Sequence, residues 1–123
     1  MHPSDRPARV VVVDDDEAVR TVLSHVLADE GLEVVGVAGD GAAAVCLAES
    51  LRPDAIVLDV RMPGIGGIEA ARRIRPIDPD VRLVMLSAYD DPTLQQEAAA
   101  AGASVFLVKG CALSELVQAV GGR

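Results

Sequence analysis

The stretch Val10-Val11-Val12-Val13-Asp14-Asp15-Asp16-Glu17 decides how this chain folds. Four consecutive β-branched residues show no polar alternation, so the run suits a strand buried on both faces, as in a parallel sheet. It then breaks into three acids, which makes the carboxyl end of that strand strongly negative. Similar runs recur at Val34–Ala38, Ala55–Leu58, Leu83–Leu86 and Val105–Val108. Between them the period changes. Val19, Val22, Leu23, Val26 and Leu27 share one face of a helix that Gly31 is placed to close. Gly41 to Leu51 reads as a second helix, ended by Arg52-Pro53, and Ile65 to Arg75 as a third, stopped by Pro76. Asp91-Pro92 supplies a cap and a first-turn proline for a fourth, which Gly102 terminates. Leu113, Leu116, Val117 and Val120 mark a fifth. Strands alternating with helices in this way imply an α/β fold: a parallel sheet, right-handed crossovers and helices on both faces.

Such sheets bind ligands beyond the carboxyl ends of their strands, so chemistry is sought there. The first strand delivers Asp14 and Asp15, the third Asp59, the fourth Ser87 and the fifth Lys109. Each has a plainer use when taken alone. Asp14 or Asp16 would serve as a helix cap, Ser87 as a turn residue and Lys109 as a solvated charge. Asp59 resists that reading, because an acid closing a fully apolar strand gains nothing from packing. Two carboxylates about 5 Å apart repel by roughly 3 kcal/mol at an effective dielectric of 20. A hard divalent cation removes that repulsion, and Mg²⁺ with oxygen ligands and retained waters suits the donors. A cation beside a carboxylate and an ammonium is in turn suited to a phosphoryl group, with the Ser87 hydroxyl as a further donor.

Composition bounds the rest. With 123 residues and 12.8 kDa the chain fits one domain. Half the residues are hydrophobic but only 2% are aromatic, and Tyr89 and Phe106 are the whole set. The core is therefore aliphatic, and no platform exists for stacking single-stranded nucleic acid. A net charge of −8 is the wrong balance for duplex DNA, so no direct nucleic acid binding is expected. Cys46 and Cys111 lack metal-ligand spacing and read as small, buried or half-buried hydrophobes. The first residues carry no signal-peptide run, and no stretch approaches the roughly 18 apolar residues of a membrane span. A cytoplasmic location without membrane contact is the expectation.

These residues resemble the receiver domain of bacterial two-component response regulators. The resemblance rests on Val10-Val-Val-Val-Asp-Asp-Asp-Glu, Pro53-Asp-Ala-Ile-Val-Leu-Asp-Val-Arg-Met-Pro-Gly, Val84-Met-Leu-Ser-Ala and Ala101-Gly-Ala-Ser-Val-Phe-Leu-Val-Lys. It implies a flavodoxin-like doubly wound sheet of order 2-1-3-4-5, with the receiver domain over residues 9–120, a flexible tail at 1–8 and a C-terminal tail at 121–123. It implies that Asp59 is the phosphoacceptor, and that Asp14 and Asp15 hold Mg²⁺ together with Asp59 and the backbone carbonyl of Arg61, Mn²⁺ substituting. Asp15 is expected to be the more direct ligand of the two. Ser87, Lys109 and Phe106 take the switch and phosphoryl-stabilising positions. The implied partner is a sensor histidine kinase or phosphotransfer protein, and the implied homodimer surface is helix 4–strand 5–helix 5. Such a domain is a switch rather than an enzyme, limited to self-catalysed phosphoryl transfer and hydrolysis.

Two departures from the family pattern stand out. Gly66 occupies the place of a common aspartate, which adds glycine to a helix start. Gly110 follows Lys109 where a cis-bonded proline is common; a trans bond and a differently shaped loop are expected, since a cis bond before a non-proline costs about 2.5–4 kcal/mol. Lys-Gly here resembles regulators with a helix-turn-helix output domain. Two rival readings remain. Asp14-x-Asp16 superficially resembles the nucleophile motif of a Mg-dependent aspartyl phosphatase, although Ala18 stands where that motif wants Thr or Val. The other is a degenerate receiver that acts only as a binding module.

Overall fold

The computed structural model describes residues 6–121. In chain order the elements are β1 (Arg9–Val13), α1 (Glu17–Asp29), β2 (Glu33–Ala38), α2 (Gly41–Leu51), β3 (Ala55–Asp59), α3 (Gly67–Ile77), β4 (Arg82–Ser87), α4 (Pro92–Ala100), β5 (Val105–Val108) and α5 (Leu113–Gly121). All strand pairs are parallel and the order is β2-β1-β3-β4-β5. This is the doubly wound sheet that the alternation implies.

The unbroken valines of β1 divide between two cores. Val11 and Val13 join Ile56, Leu58, Leu83 and Met85 under α2, α3 and α4, whereas Val10 and Val12 join Val57, Val84 and Leu86 under α1 and α5. Successive strand side chains point to opposite faces, so a strand covered on both sides has no polar position left. Helices pack on the first face through small residues, Ala44, Ala48, Ala70, Ala71 and Ala98, and on the second through Leu27, Leu116 and Val120. Of the run Ala98 to Ala101, Ala98 and Ala101 are buried and the two between face solvent.

Aspartates open three of the helices. Asp16 accepts from the Ala18 and Val19 N–H groups, Asp40 from Ala43 and Asp91 from Thr93. Each such cap satisfies amides that the first turn leaves unpaired. Gly31 and Gly102 follow α1 and α4 with φ of 88° and 104°, the left-handed conformation that glycine adopts without penalty.

The third helix differs from its expected span. It begins at Gly67 and runs through Pro76 to Ile77 instead of covering Ile65 to Arg75. Gly66 is the cap, and Pro76 sits in the last turn, where the Asp78 N–H still closes on the Ile74 carbonyl. A proline there removes one bond near an end, not the middle of the ladder. The fifth helix ends on Gly121, one residue beyond the 9–120 span. Of the tail expected at 1–8, residues 1–5 lie outside the described residues, as do 122–123; the Ala8 carbonyl accepts from the Glu33 N–H at 2.9 Å, at the foot of the sheet. Cys111 is half-buried as expected, but Cys46 is exposed on α2. No helix among the described residues is long and apolar enough to cross a membrane.

Candidate functional site

In this strand order the connections from β1 and β3 leave in opposite directions, which opens a crevice at their carboxyl ends. Asp14 follows β1 and Asp59 ends β3, one on each side of that crevice. Carboxylate oxygens of Asp14, Asp15 and Asp59 all lie within 4.8 Å of one another. Asp14 and Asp59 are 2% and 6% exposed, and Asp15 faces solvent.

Lys109 reaches into the crevice from the end of β5. Its Nζ donates to Asp14 Oδ2 at 3.2 Å and lies 3.3 Å from Asp59 Oδ1. Ser87, at the end of β4, is 2% exposed, and its Oγ accepts the Tyr89 N–H at 3.0 Å. The Lys109 N–H in turn donates to the Ser87 carbonyl at 2.7 Å, so the two residues share one backbone clasp. Lys109–Gly110 is trans, as no peptide bond among the described residues is cis, and Gly110 turns with a φ of 93°. Phe106 on β5 is half-buried and packs against the core under α2–α4.

The electrostatics are unbalanced. Burial raises the Asp59 carboxyl above its ordinary value of 3.8 and the nearby Asp14 charge raises it further, against opposition from Lys109 and from the Arg61 backbone N–H that donates to it. For Lys109, burial works against the charged form, but Asp59 and Asp14 together outweigh it and the ammonium is held above 10.5. One ammonium thus stands against a group of three carboxylates and is paired with two of them. Three hard oxygen donors around an excess of negative charge suit a divalent cation of the Mg²⁺ type.

Asp14, Asp59 and Ser87 are the buried polar or charged residues of the described chain, and all three border this crevice. Buried polar groups gathered in one place mark that place as the candidate site. The model for the "Response regulator receiver domain" family matches residues 10–121. The chain belongs to this family.

The response regulator GacA of Pseudomonas aeruginosa is 42% identical to this receiver domain over 113 residues, which cover 91% of this chain and 53% of GacA. The chain therefore spans about half the length of that relative. The signal receiver domain of NarL from Mycobacterium tuberculosis superimposes with a TM-score of 0.88 at 38% identity, covering 94% of both chains. CheY in the CheX–CheY–BeF₃–Mg²⁺ complex of Borrelia burgdorferi superimposes at 0.87 with 29% identity, covering 94% of this chain and 88% of that one. Receiver domains are phosphorylation-operated switches of two-component systems that bind Mg²⁺ at an acidic cluster, and this one has the Asp group in place. Nothing in these matches supports the phosphatase reading.

Asp14, Asp15, Asp59, Ser87 and Lys109 lie at this edge and Phe106 on β5 beside it, and Asp16 is a helix cap rather than a member of the acidic group. Two residues escaped that reading. The Arg20 guanidinium donates to the Asp14 carbonyl at 2.8 Å. A Cβ on Gly67 would overlap the Asp59 backbone carbonyl. Neither contact has a sequence signal, because both depend on where a helix comes to rest against a strand end.

Proposed function

We propose that Asp59 accepts the phosphoryl group. The observation that carries this is the confinement of the buried polar residues, among the described residues, to the crevice, with the Asp59 carboxylate grouped with Asp14 and Asp15 and 3.3 Å from the Lys109 ammonium. In the reaction an Asp59 carboxylate oxygen forms a bond to phosphorus while the bond from phosphorus to the donor breaks. With a phosphohistidine donor that bond is P–N, and the electron pair leaves with the imidazole. Asp14, Asp15, Asp59 and the Arg61 carbonyl would hold Mg²⁺, Mn²⁺ substituting; the bound ion supplies charge neutralisation at the phosphoryl oxygens. Lys109 already spans two of the acids and is in reach of the added dianion. Ser87 Oγ accepts from Tyr89, which leaves its own proton to donate to a phosphoryl oxygen.

The switch that follows involves Ser87, Phe106 and the face of α4, β5 and α5. Drawing Ser87 inward shifts the β4–α4 connection, and α4 rests on few large side chains, with Ala98 and Ala101 buried and Leu94 half-buried beneath it. A sensor histidine kinase or phosphotransfer protein is the donor, and a homodimer through the moving face is the readout. The neighbour solved with BeF₃ and Mg²⁺ supports the use of beryllofluoride as a phosphoryl mimic. The test is mass spectrometry after acetyl phosphate and Mg²⁺: one added phosphate on the parent chain and none on Asp59→Asn. Label persisting on that variant would overturn the assignment. Beryllofluoride should move NMR signals mainly between Ser87 and Val117 and raise the mass seen by ultracentrifugation; changes confined to the loops around Asp14, Asp59 and Lys109 would defeat the switch reading.

A further inference from the structure

The backbone and side chain of Asp14 are held on every polar atom. Its N–H donates to the Ala38 carbonyl at 3.1 Å, Oδ1 accepts from the Asp16 N–H at 2.9 Å, Oδ2 accepts from Lys109 at 3.2 Å, and its carbonyl accepts from Arg20 Nη1 at 2.8 Å. The last bond differs in kind from the others. The Asp14 carbonyl belongs to the peptide that joins Asp14 to Asp15, so the bond from Arg20 fixes the plane from which the Asp15 side chain departs. Asp15 faces solvent and is not oriented by packing. The Asp14–Asp15 peptide fixes where the Asp15 Cα sits, and so bears on the aim of its side chain toward Asp14 and Asp59.

Arg20 is itself constrained. It lies on α1, whose register is fixed by the Asp16 cap and by the bond from the Arg20 N–H to the Asp16 carbonyl at 3.0 Å. The Ser24 hydroxyl donates back to the Arg20 carbonyl at 2.7 Å. The guanidinium runs over Gly39, where an added Cβ would lie 3.1 Å from Nη1. Gly39 has no positive φ, so its lack of a side chain answers to space and not to backbone conformation. Arg20 thus reaches back from α1 across the β1–α1 loop to the Asp14 carbonyl, passing beside Gly39 just after β2.

We infer that Arg20 is a positioning residue for the cation site, holding the Asp14–Asp15 peptide so that Asp15 shares an ion with Asp14 and Asp59. This deepens the proposed function and rests on it. A guanidinium bonded to the Asp14 carbonyl has two opposed effects on a cation at this site: its charge repels the ion, and its hydrogen bond aims a ligand. The inference is that aiming dominates, because the bond is to a carbonyl and leaves the carboxylates free for the metal. Partners that hold a ligand in place are commonly worth about tenfold or more in metal affinity.

The experiment is a Mg²⁺ titration of the full chain, followed by amide NMR shifts around Asp15 and Asp59, on the parent and on Arg20→Met, Arg20→Lys and Gly39→Ala. Thermal melts run beside it. Arg20→Met removes the donor and the charge and should weaken Mg²⁺ binding by roughly tenfold. Arg20→Lys keeps a donor of similar reach to a single carbonyl and should stay within about threefold of the parent. Gly39→Ala crowds the guanidinium without touching an acid, and a smaller loss in the same direction is expected. A stability change in Arg20→Met with unaltered Mg²⁺ affinity would overturn the inference in favour of a purely structural role. Tighter binding in Arg20→Met would overturn it in favour of simple charge repulsion. A parent chain that fails to bind Mg²⁺ at Asp15 and Asp59 would defeat the proposed site as well, which separates the two failures.

Discussion

Asp59 and Lys109 face each other at 3.3 Å across the carboxyl edge of the sheet, yet the carboxyl stays above its ordinary value. Burial leads and the Asp14 charge adds to it, and together they outweigh the ammonium. A carboxyl-detected NMR titration without divalent metal should therefore give Asp59 a midpoint above 3.8. Lys109→Met should push that midpoint higher and Asp14→Asn should bring it down. Since the attacking species is the carboxylate, phosphate acceptance should fade as pH drops through this raised value. A midpoint at or below 3.8 would contradict the electrostatic account.

The same shift carries a sign for stability. A carboxyl whose folded pKa is raised binds its proton more tightly when folded, so its contribution is fully present below the unfolded value and lost as pH rises through the folded one. At neutral pH the ionised Asp59 is thus a net cost to the metal-free fold. Asp59→Asn should raise the melting temperature at pH 7, by about 3–5 °C for each kcal/mol relieved. The gain should vanish near pH 3, where the parent is protonated. An unchanged or lowered melting temperature at pH 7 would count against it.

Asp15 and Asp16 are neighbours with different work. Asp16 caps α1 through the Ala18 and Val19 N–H groups, whereas Asp15 belongs to the acidic group. Asp16→Ala should lose about 1 kcal/mol of stability in denaturant melts and keep its Mg²⁺ affinity. Asp15→Ala should lose most of that affinity while its stability stays level or rises. Equal effects of the two in a metal titration would remove the distinction.

Gly67 allows α3 to start against the backbone of Asp59; a Cβ there would overlap the Asp59 carbonyl and crowd Met85 Cε at 3.1 Å. Gly67→Ala should cost about 1–3 kcal/mol by overpacking and slow labelling of Asp59 by acetyl phosphate. Gly64 is the contrasting case, with a φ of 74° and open space around it. Gly64→Asn should label at nearly the parent rate, since asparagine tolerates that conformation. Normal labelling of Gly67→Ala would show that the contact does not position the acceptor.

Much of the fold is legible in the chain because its rules are local. Valines without alternation in β1 encode two covered faces, and Asp91-Pro92 and Gly31 encode a helix start and a helix end through their own backbone preferences. The acids, the serine and the lysine are legible as a group only because parallel strands bring all carboxyl ends to one edge. Where a rule admits degrees, local reading slips. Pro76 stops a helix in its middle but is accommodated in the last turn of α3, and the chain alone does not say which turn it occupies.

By itself, then, the sequence determined the order of elements, the aliphatic two-faced core and the residue types gathered at the strand ends, since these follow from periodicity and chain direction. Only the tertiary structure decided that Lys109 spans Asp14 and Asp59, that Gly67 abuts the Asp59 carbonyl and that Arg20 clamps the peptide before Asp15. Lys109 and Asp14 are 95 positions apart, and their meeting depends on how β1 and β5 are spaced across the sheet. Contacts of this kind are set by where helices and loops come to rest on a finished core, and no local preference of the chain encodes that distance.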